Sequence, residues 1–280
     1  MSTGLLFQAN LNADKIYIDM KFLPDPVEHE LYIRIQNQYL STLYFKVTVD
    51  IPNWTLTTPA DGQLGSVAGT QEKFFTLTMS RPKPSTETVE SGTITIEAYS
   101  DSDYTDKVGE ATLPVTVYFE DLESWTDVTI YDFNDGTSQG WTLSSNTTIE
   151  NDASVETGGY SARYYYSAKS YNREGYIERS ITLPNRNKVR VSFFLAFYAY
   201  YNIKIHDLSV LVNGEKVYDI PTTIVKGPVH YGWVKCAVDL SAYRGQTVTL
   251  RIRIYTQNTN TTLARTTKVW IDRIVIAGKD

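Results

Sequence analysis

Val189-Arg190-Val191-Ser192-Phe193-Phe194-Leu195-Ala196-Phe197-Tyr198-Ala199-Tyr200-Tyr201 is the run that decides the fold. Its period is two. Val189, Val191, Phe193, Leu195 and Phe197 fall on one side, while Arg190, Ser192, Phe194, Ala196, Tyr198 and Tyr200 fall on the other. A helix of 3.6 residues per turn would scatter both sets around its axis, so the run reads as a long strand with one core face. Working outward, strand-like runs recur at 129–133, 161–167, 175–183, 207–213, 215–219, 231–239, 246–255 and 267–276. Between Val210-Leu211-Val212 and Lys216-Val217-Tyr218, Asn213-Gly214 is a strong two-residue hairpin signal, because both positions of such a turn need positive φ.

The first half carries shorter strands. Runs at 15–22, 30–36, 43–50, 72–79, 92–99 and 112–119, with a brief one at 53–57, are separated by Pro-, Gly-, Asn- and Asp-rich turns such as Pro24-Asp25-Pro26 and Arg81-Pro82-Lys83-Pro84. Phe45, Val47 and Val49 share one face, as do Ile94, Ile96 and Ala98 on another strand. About seven short strands over this length predict an immunoglobulin-like sandwich. Glu120-Asp121-Leu122-Glu123-Ser124-Trp125-Thr126-Asp127 is acidic and does not alternate, which places a domain boundary near residue 124. Leu122 and Trp125 are expected to pack between the domains. The reading is an all-β chain of two β-sandwich domains, 1–124 and 125–280.

Composition closes off several functions. The 280 residues carry a net charge of −6, with the basic residues spread along the chain. That distribution gives neither nucleic acid nor an anionic membrane its electrostatic footprint. No stretch approaches the run of about 18 apolar residues that a spanning helix needs, so no membrane insertion is expected. The opening Met1-Ser2-Thr3-Gly4-Leu5-Leu6-Phe7-Gln8 has no basic segment leading an apolar one, and no signal peptide is read there. Cys236 is the single cysteine, which excludes an internal disulfide framework. Its alternation with Val234 and Val238 predicts an inert buried thiol. No Gly-x-Ser-x-Gly elbow, His-Glu-x-x-His pair or phosphate-binding glycine loop is present, and no catalytic residue is assigned.

Residues 128–280 resemble the galactose-binding-like jelly rolls that include several carbohydrate-binding module families. The resemblance is carried by Asp132-Phe133-Asn134-Asp135-Gly136 followed by Trp141, by Thr157-Gly158-Gly159-Tyr160-Ser161-Ala162, by Val210-Leu211-Val212-Asn213-Gly214, by the block from Val238 to Arg251, and by Trp270-Ile271-Asp272-Arg273-Ile274. It implies that the first and last strands of one jelly roll meet. It also implies a structural calcium ion near that junction, for which Asp272, Asn134 and Asp135 are the candidate ligands. Two departures weigh against the ion: Asn134 stands where the family has an acidic residue, and Arg273 brings a cation beside Asp272.

The resemblance further implies a ligand face on the outward side of a sheet. If Val248, Leu250, Ile252 and Ile254 are core, then Arg251, Arg253 and Tyr255 point outward. With Arg190, Tyr198 and Tyr200 on the non-core side of 189–201, and Glu178 beside Tyr176 on 175–183, these residues are expected to form one face. Tyrosine rings offer apolar area while Arg and Glu fix hydroxyl groups, which suits a glycan; the same residue types also suit neighbouring protein subunits. The expected function is therefore a non-catalytic surface protein binding glycans or subunits, with homo-oligomers or capsid attachment as further partners. Two settings are expected: a virion decoration, turret or fibre-type protein, or an extracellular or cell-surface accessory module of a polysaccharide-degrading system.

Overall fold

The computed structural model describes residues 6–11, 14–21, 23–155, 157–168, 172–199, 203–220, 229–258 and 265–280. The chain is all-β; the only helical elements among the described residues are single 3₁₀ turns at Leu122–Ser124 and Ser241–Tyr243. No helix among the described residues is long and apolar enough to cross a membrane. The chain divides into two compact units, Met1–Glu120 and Asp121–Asp280.

The first unit contains β1 (Phe7–Leu11), β2 (Lys15–Asp19), β3 (Val27–Asn37), β4 (Leu43–Asp50), β5 (Thr55–Thr58), β6 (Gln63–Val67), β7 (Glu72–Arg81), β8 (Thr88–Tyr99) and β9 (Lys107–Glu120). One sheet runs β1-β3-β7-β5 and the other β2-β9-β8-β4-β6, with β2 parallel to β9. Leu31, Ile33, Ile35, Leu77 and Met79 from the first sheet meet Phe45, Val47, Ile94, Ile96 and Val117 from the second. The alternation read in the sequence thus faces the core. A polar network is buried beside it. Glu90 accepts hydrogen bonds from Trp54 Nε1 at 2.9 Å and Asn53 Nδ2 at 2.8 Å and pairs with Arg81, whose guanidinium lies 4.9 Å from the Phe119 ring centre. The charge on Glu90 is tolerated in the interior because it is both paired and hydrogen-bonded.

The second unit contains β10 (Asp127–Tyr131), β11 (Thr142–Leu143), β12 (Thr147–Glu150), β13 (Ser161–Ala168), β14 (Asn172–Thr182), β15 (Lys188–Ala199), β16 (Ile203–Val212), β17 (Glu215–Ile220), β18 (Val229–Asp239), β19 (Thr247–Asn258) and β20 (Arg265–Lys279). One sheet runs β12-β13-β20-β15-β18, with β10 also on β20; the other runs β11-β14-β19-β16-β17. The expected ends meet: Tyr131 lies opposite Ile274 and Asp127 opposite Gly278 in an antiparallel pair. Val189, Val191, Phe193 and Leu195 of β15 pack with Ile177, Leu250, Ile252 and Ile254 of the facing sheet. At the β16–β17 turn, Asn213 (φ 53°) and Gly214 (φ 86°) take the left-handed conformations that the hairpin demands.

Two local features depart from the expectation. Leu122 and Trp125 are buried against Val275 and Ala277 on β20 of the second unit itself, so Asp121–Ser124 belong to that unit. β20 also carries a bulge: its register with β15 shifts between Ser192 and Phe194, and Arg273 sits at φ 45°. The extra residue changes which parity faces inward, from Val269 and Ile271 to Ile274 and Ile276, all of them core residues. That switch explains why the closing motif places two polar residues, Asp272 and Arg273, side by side.

Candidate functional site

The residues expected on one face are divided between the two sheets of the second unit. Arg190 and Tyr198 lie on β15, whereas Glu178 lies on β14 and Arg251, Arg253 and Tyr255 lie on β19. The inward sides of both sheets meet in one core, so their outward sides point away from each other. Alternation correctly sorts inward from outward along each strand but carries no information on which sheet a strand joins. Tyr200 lies outside the described residues.

Arg190 is only 3% exposed. It pairs with Asp239, and the Trp125 ring covers it with its centre 5.9 Å from the guanidinium carbon. Its role is structural. Tyr198 is half-buried and sits opposite Lys268 and His230 in its sheet.

The other four residues come together. With Leu250, Ile252 and Ile254 fully buried on the inward side of β19, Arg251, Arg253 and Tyr255 stand on its outward side. On β14 the inward set is Gly175 and Ile177, which turns Glu174, Tyr176 and Glu178 outward. The register fixes Arg251 opposite Glu178, Arg253 opposite Tyr176, and Tyr255 opposite Glu174. Arg251 is the centre of this array. Its Nε donates to Glu178 Oε2 at 2.6 Å, one terminal nitrogen lies 3.4 Å from Glu174 Oε1, and the guanidinium carbon is 4.2 Å from the centre of the Tyr176 ring. Such partly exposed ion pairs contribute little to stability. Their effect here is geometric, because they hold a ring and three charged groups in fixed relation on a sheet.

Gly175 secures the register of β14. A Cβ there would stand 2.1 Å from the Tyr164 ring, which approaches this point of the strand. The Tyr164 hydroxyl shares a 3.0 Å hydrogen bond with Thr256, and burial pushes its phenol up to about 12. Glu174 was not singled out from the sequence. Its signal was present, two residues before Tyr176 and four before Glu178 on a period-two strand.

Each candidate calcium ligand already has a partner within the chain. Asp272 is 2% exposed, and its two oxygens accept the backbone N–H groups of Val155, at 2.8 Å, and Arg273, at 2.6 Å. Asn134 Oδ1 accepts the N–H of Tyr160 at 3.3 Å, and Asp135 is folded onto Thr137. Arg273, the departure noted in the closing motif, has its own partner: it donates to Glu123 at 2.6 Å and ties the 3₁₀ turn to β20. Among the described residues no group of three or more His, Cys, Asp or Glu side chains could hold a metal ion. With their oxygens taken up by N–H and O–H donors and Arg273 beside Asp272, these residues do not form a donor set that fits the ion. Cys236 is buried in the core, which pushes its thiol up to about 12 and leaves it without a thiolate at neutral pH.

No family model and no curated protein matches the chain. The solved structures it resembles include carbohydrate-binding β-sandwich domains. The CBM22-1 xylan-binding domain of Xyn10C from Paenibacillus barcinonensis is 18% identical, with 55% of this chain and 96% of that one covered and a TM-score of 0.34. TmCBM61, solved with β-1,4-galactotriose, is 14% identical over 53% of this chain and 94% of its own, also at 0.34. A CBM35 from Paenibacillus barcinonensis is 18% identical over 54% and 99%, at 0.30. Likenesses at these scores do not carry a ligand or an activity to this chain.

Proposed function

We propose that the chain is a non-catalytic glycan-binding protein whose binding face is the outward side of the β11-β14-β19-β16-β17 sheet. One observation carries the reading: Arg251 is fixed over Tyr176 between Glu178 and Glu174, with Arg253 and Tyr255 in the adjoining rows. Tyrosine rings supply area for the apolar face of a pyranose, and flanking charged groups supply paired donors and acceptors for its hydroxyls. The opposing charges on the array balance closely, which favours a neutral sugar over a strongly charged ligand. The pre-set geometry lowers the ordering cost of binding.

The first unit is proposed as an Ig-like spacer. Its pairings β1-β3-β7-β5 and β9-β8-β4 can be laid onto the two sheets of such a sandwich, with β2 and β6 added at the edges of the second. The setting proposed is an extracellular or cell-surface accessory module. A screen of immobilised neutral polysaccharides tests the function. Retention of the intact chain, weakened at least tenfold by Arg251→Ala with an unchanged melting temperature, is expected. Equal retention of both proteins would place the site elsewhere.

A further inference from the structure

The outward side of the opposite sheet, β12-β13-β20-β15-β18, is largely covered. Trp125 and Leu122 lie over Val275 and Ala277. Residues 151–155 cross the middle, where Asp152 accepts the Trp270 indole N–H at 2.9 Å and Val155 donates to Asp272. Among the described residues, one row that carries aromatic rings remains partly exposed. Tyr165 on β13 lies opposite Lys268 on β20, which lies opposite Tyr198 on β15. Tyr165 is 44% exposed, one of the few large apolar side chains of the described chain to be so, and Tyr198 is half-buried. Two strand spacings separate the two tyrosines, about 10 Å, with an ammonium group between them.

The row is also pre-set. The Arg163 guanidinium lies 5.7 Å from the Tyr165 ring centre and pairs with Asp152 at 2.8 Å, while Lys268 stands 3.6 Å from the same carboxylate. Arg163 also pairs with Glu150 at 3.1 Å, so the two cations face two carboxylates, and the row presents rings and hydrogen-bond donors without an uncompensated field. A charged partner would gain little from it, and an apolar protein surface would find two separate rings rather than a continuous patch.

We propose that the Tyr165–Lys268–Tyr198 row is a second glycan platform, on the side of the sandwich opposite the first, taking an extended chain of neutral pyranose rings laid across the strands. Two non-adjacent rings of that chain stack on Tyr165 and Tyr198, and the Lys268 ammonium donates to a hydroxyl between them. The platform stands on its own residues and does not depend on the Arg251 face. Two faces on one sandwich would let a single molecule bridge two polysaccharide chains, raising avidity without new contacts.

Affinity electrophoresis of the full chain through gels containing hydroxyethylcellulose, β-1,4-xylan or β-1,4-galactan tests this. The Arg251→Ala chain should still be retarded in at least one gel. Adding Tyr165→Ala should weaken that residual retardation about tenfold, the contribution of one stacked ring, while Tyr165→Phe leaves it intact. Thermal melting of both variants shows whether the fold survives, and Lys268→Met, which keeps the stem of the side chain, repeats the test without removing a ring. No retardation of the Arg251→Ala chain in any gel, or retardation indifferent to both Tyr165→Ala and Lys268→Met, overturns the proposal. So does a concentration-dependent dimer in sedimentation that Tyr165→Ala dissolves, since the row would then be an interface between copies. Failure of the first face alone reads differently: Arg251→Ala changes nothing and Tyr165→Ala removes all binding.

Discussion

The two outward faces of the second sandwich are built from the same alternating strands, yet one is mostly roofed and the other is partly exposed along β14 and β19. On the β15 and β20 side, Arg190, Phe194, Ala196 and Trp270 all point away from the core and all are buried. On the β14 and β19 side, Tyr176, Glu178, Arg251, Arg253 and Tyr255 remain partly exposed, whereas Ser209 and Leu211, outward on the neighbouring β16, are buried. The difference comes from local chain segments. A 3₁₀ turn with Trp125 and a strap at 151–155 supply a roof to the first face, and each is stapled by charged groups, Arg273 to Glu123 and Asp152 to Trp270, Arg163 and Lys268. Outward direction is a property of a strand, whereas exposure is a property of what else the chain lays across it.

Removing the roof should have the largest effect. Trp125→Ala uncovers Val275, Ala277 and Arg190 and should cost about 3–5 kcal/mol in the unfolding transition of the second unit, followed by denaturant titration. Sugar binding at Arg251 should survive under conditions where the variant is folded. If the melting point does not move, the roof is decoration and the contrast between the faces loses its physical basis.

Asp152→Ala comes next. It leaves the Trp270 indole N–H and two cations without their shared acceptor, at a cost of roughly 1–3 kcal/mol. Acid should act on the same staple. Burial by itself would raise the Asp152 carboxyl, but the Trp270 hydrogen bond and the Arg163 and Lys268 charges outweigh it and hold the group below its ordinary value. A carboxylate lowered in the folded state stabilises it fully above the ordinary carboxylate value near 4, and loses that contribution as pH falls through the folded value. Trp270 should therefore stay protected from acrylamide at and above about pH 4 and become quenchable only as pH falls below the ordinary carboxylate range, through the lowered folded value. A Trp270 whose protection does not change when Asp152→Asn removes the carboxylate at neutral pH would show that the strap is not held by Asp152.

The smallest expected effect lies on the open face. Glu178→Ala breaks a partly exposed pair with Arg251 and should change stability by no more than about 1 kcal/mol, while weakening sugar binding by letting Arg251 leave the Tyr176 ring. Should stability fall by several kcal/mol with binding intact, the array would be structural and the two faces would differ less than their exposure suggests.

Much of this fold was legible in the sequence because period-two alternation reports the core directly. Val189, Val191, Phe193 and Leu195, Leu250, Ile252 and Ile254, and Phe45 and Val47 all face inward as read, and Asn213-Gly214 turns as its residue types require. The pairing of the first strand with the last followed from the motifs that frame the jelly roll. Short strands with little apolar content, such as Gln63–Val67 and Thr147–Glu150, left no periodic trace. Sheet membership was also invisible, since nothing in Val189–Tyr201 or Thr247–Tyr255 says that these runs belong to opposite sheets. For that reason the sequence alone groups Arg190 and Tyr198 with Arg251, Arg253 and Tyr255. The bulge at Arg273 had a faint signal, a break in alternation between Ile271 and Ile274, whose meaning depends on the neighbouring strand.

The central claim is that the open face built around Arg251 binds a neutral glycan. Isothermal titration of the intact chain and of an Arg251→Ala, Tyr255→Ala double variant, with a neutral oligosaccharide chosen from the polysaccharide screen, tests it most directly. At least a tenfold loss of affinity in the double variant, with an unchanged melting temperature, is the predicted result. Unaltered affinity in the double variant would contradict the account.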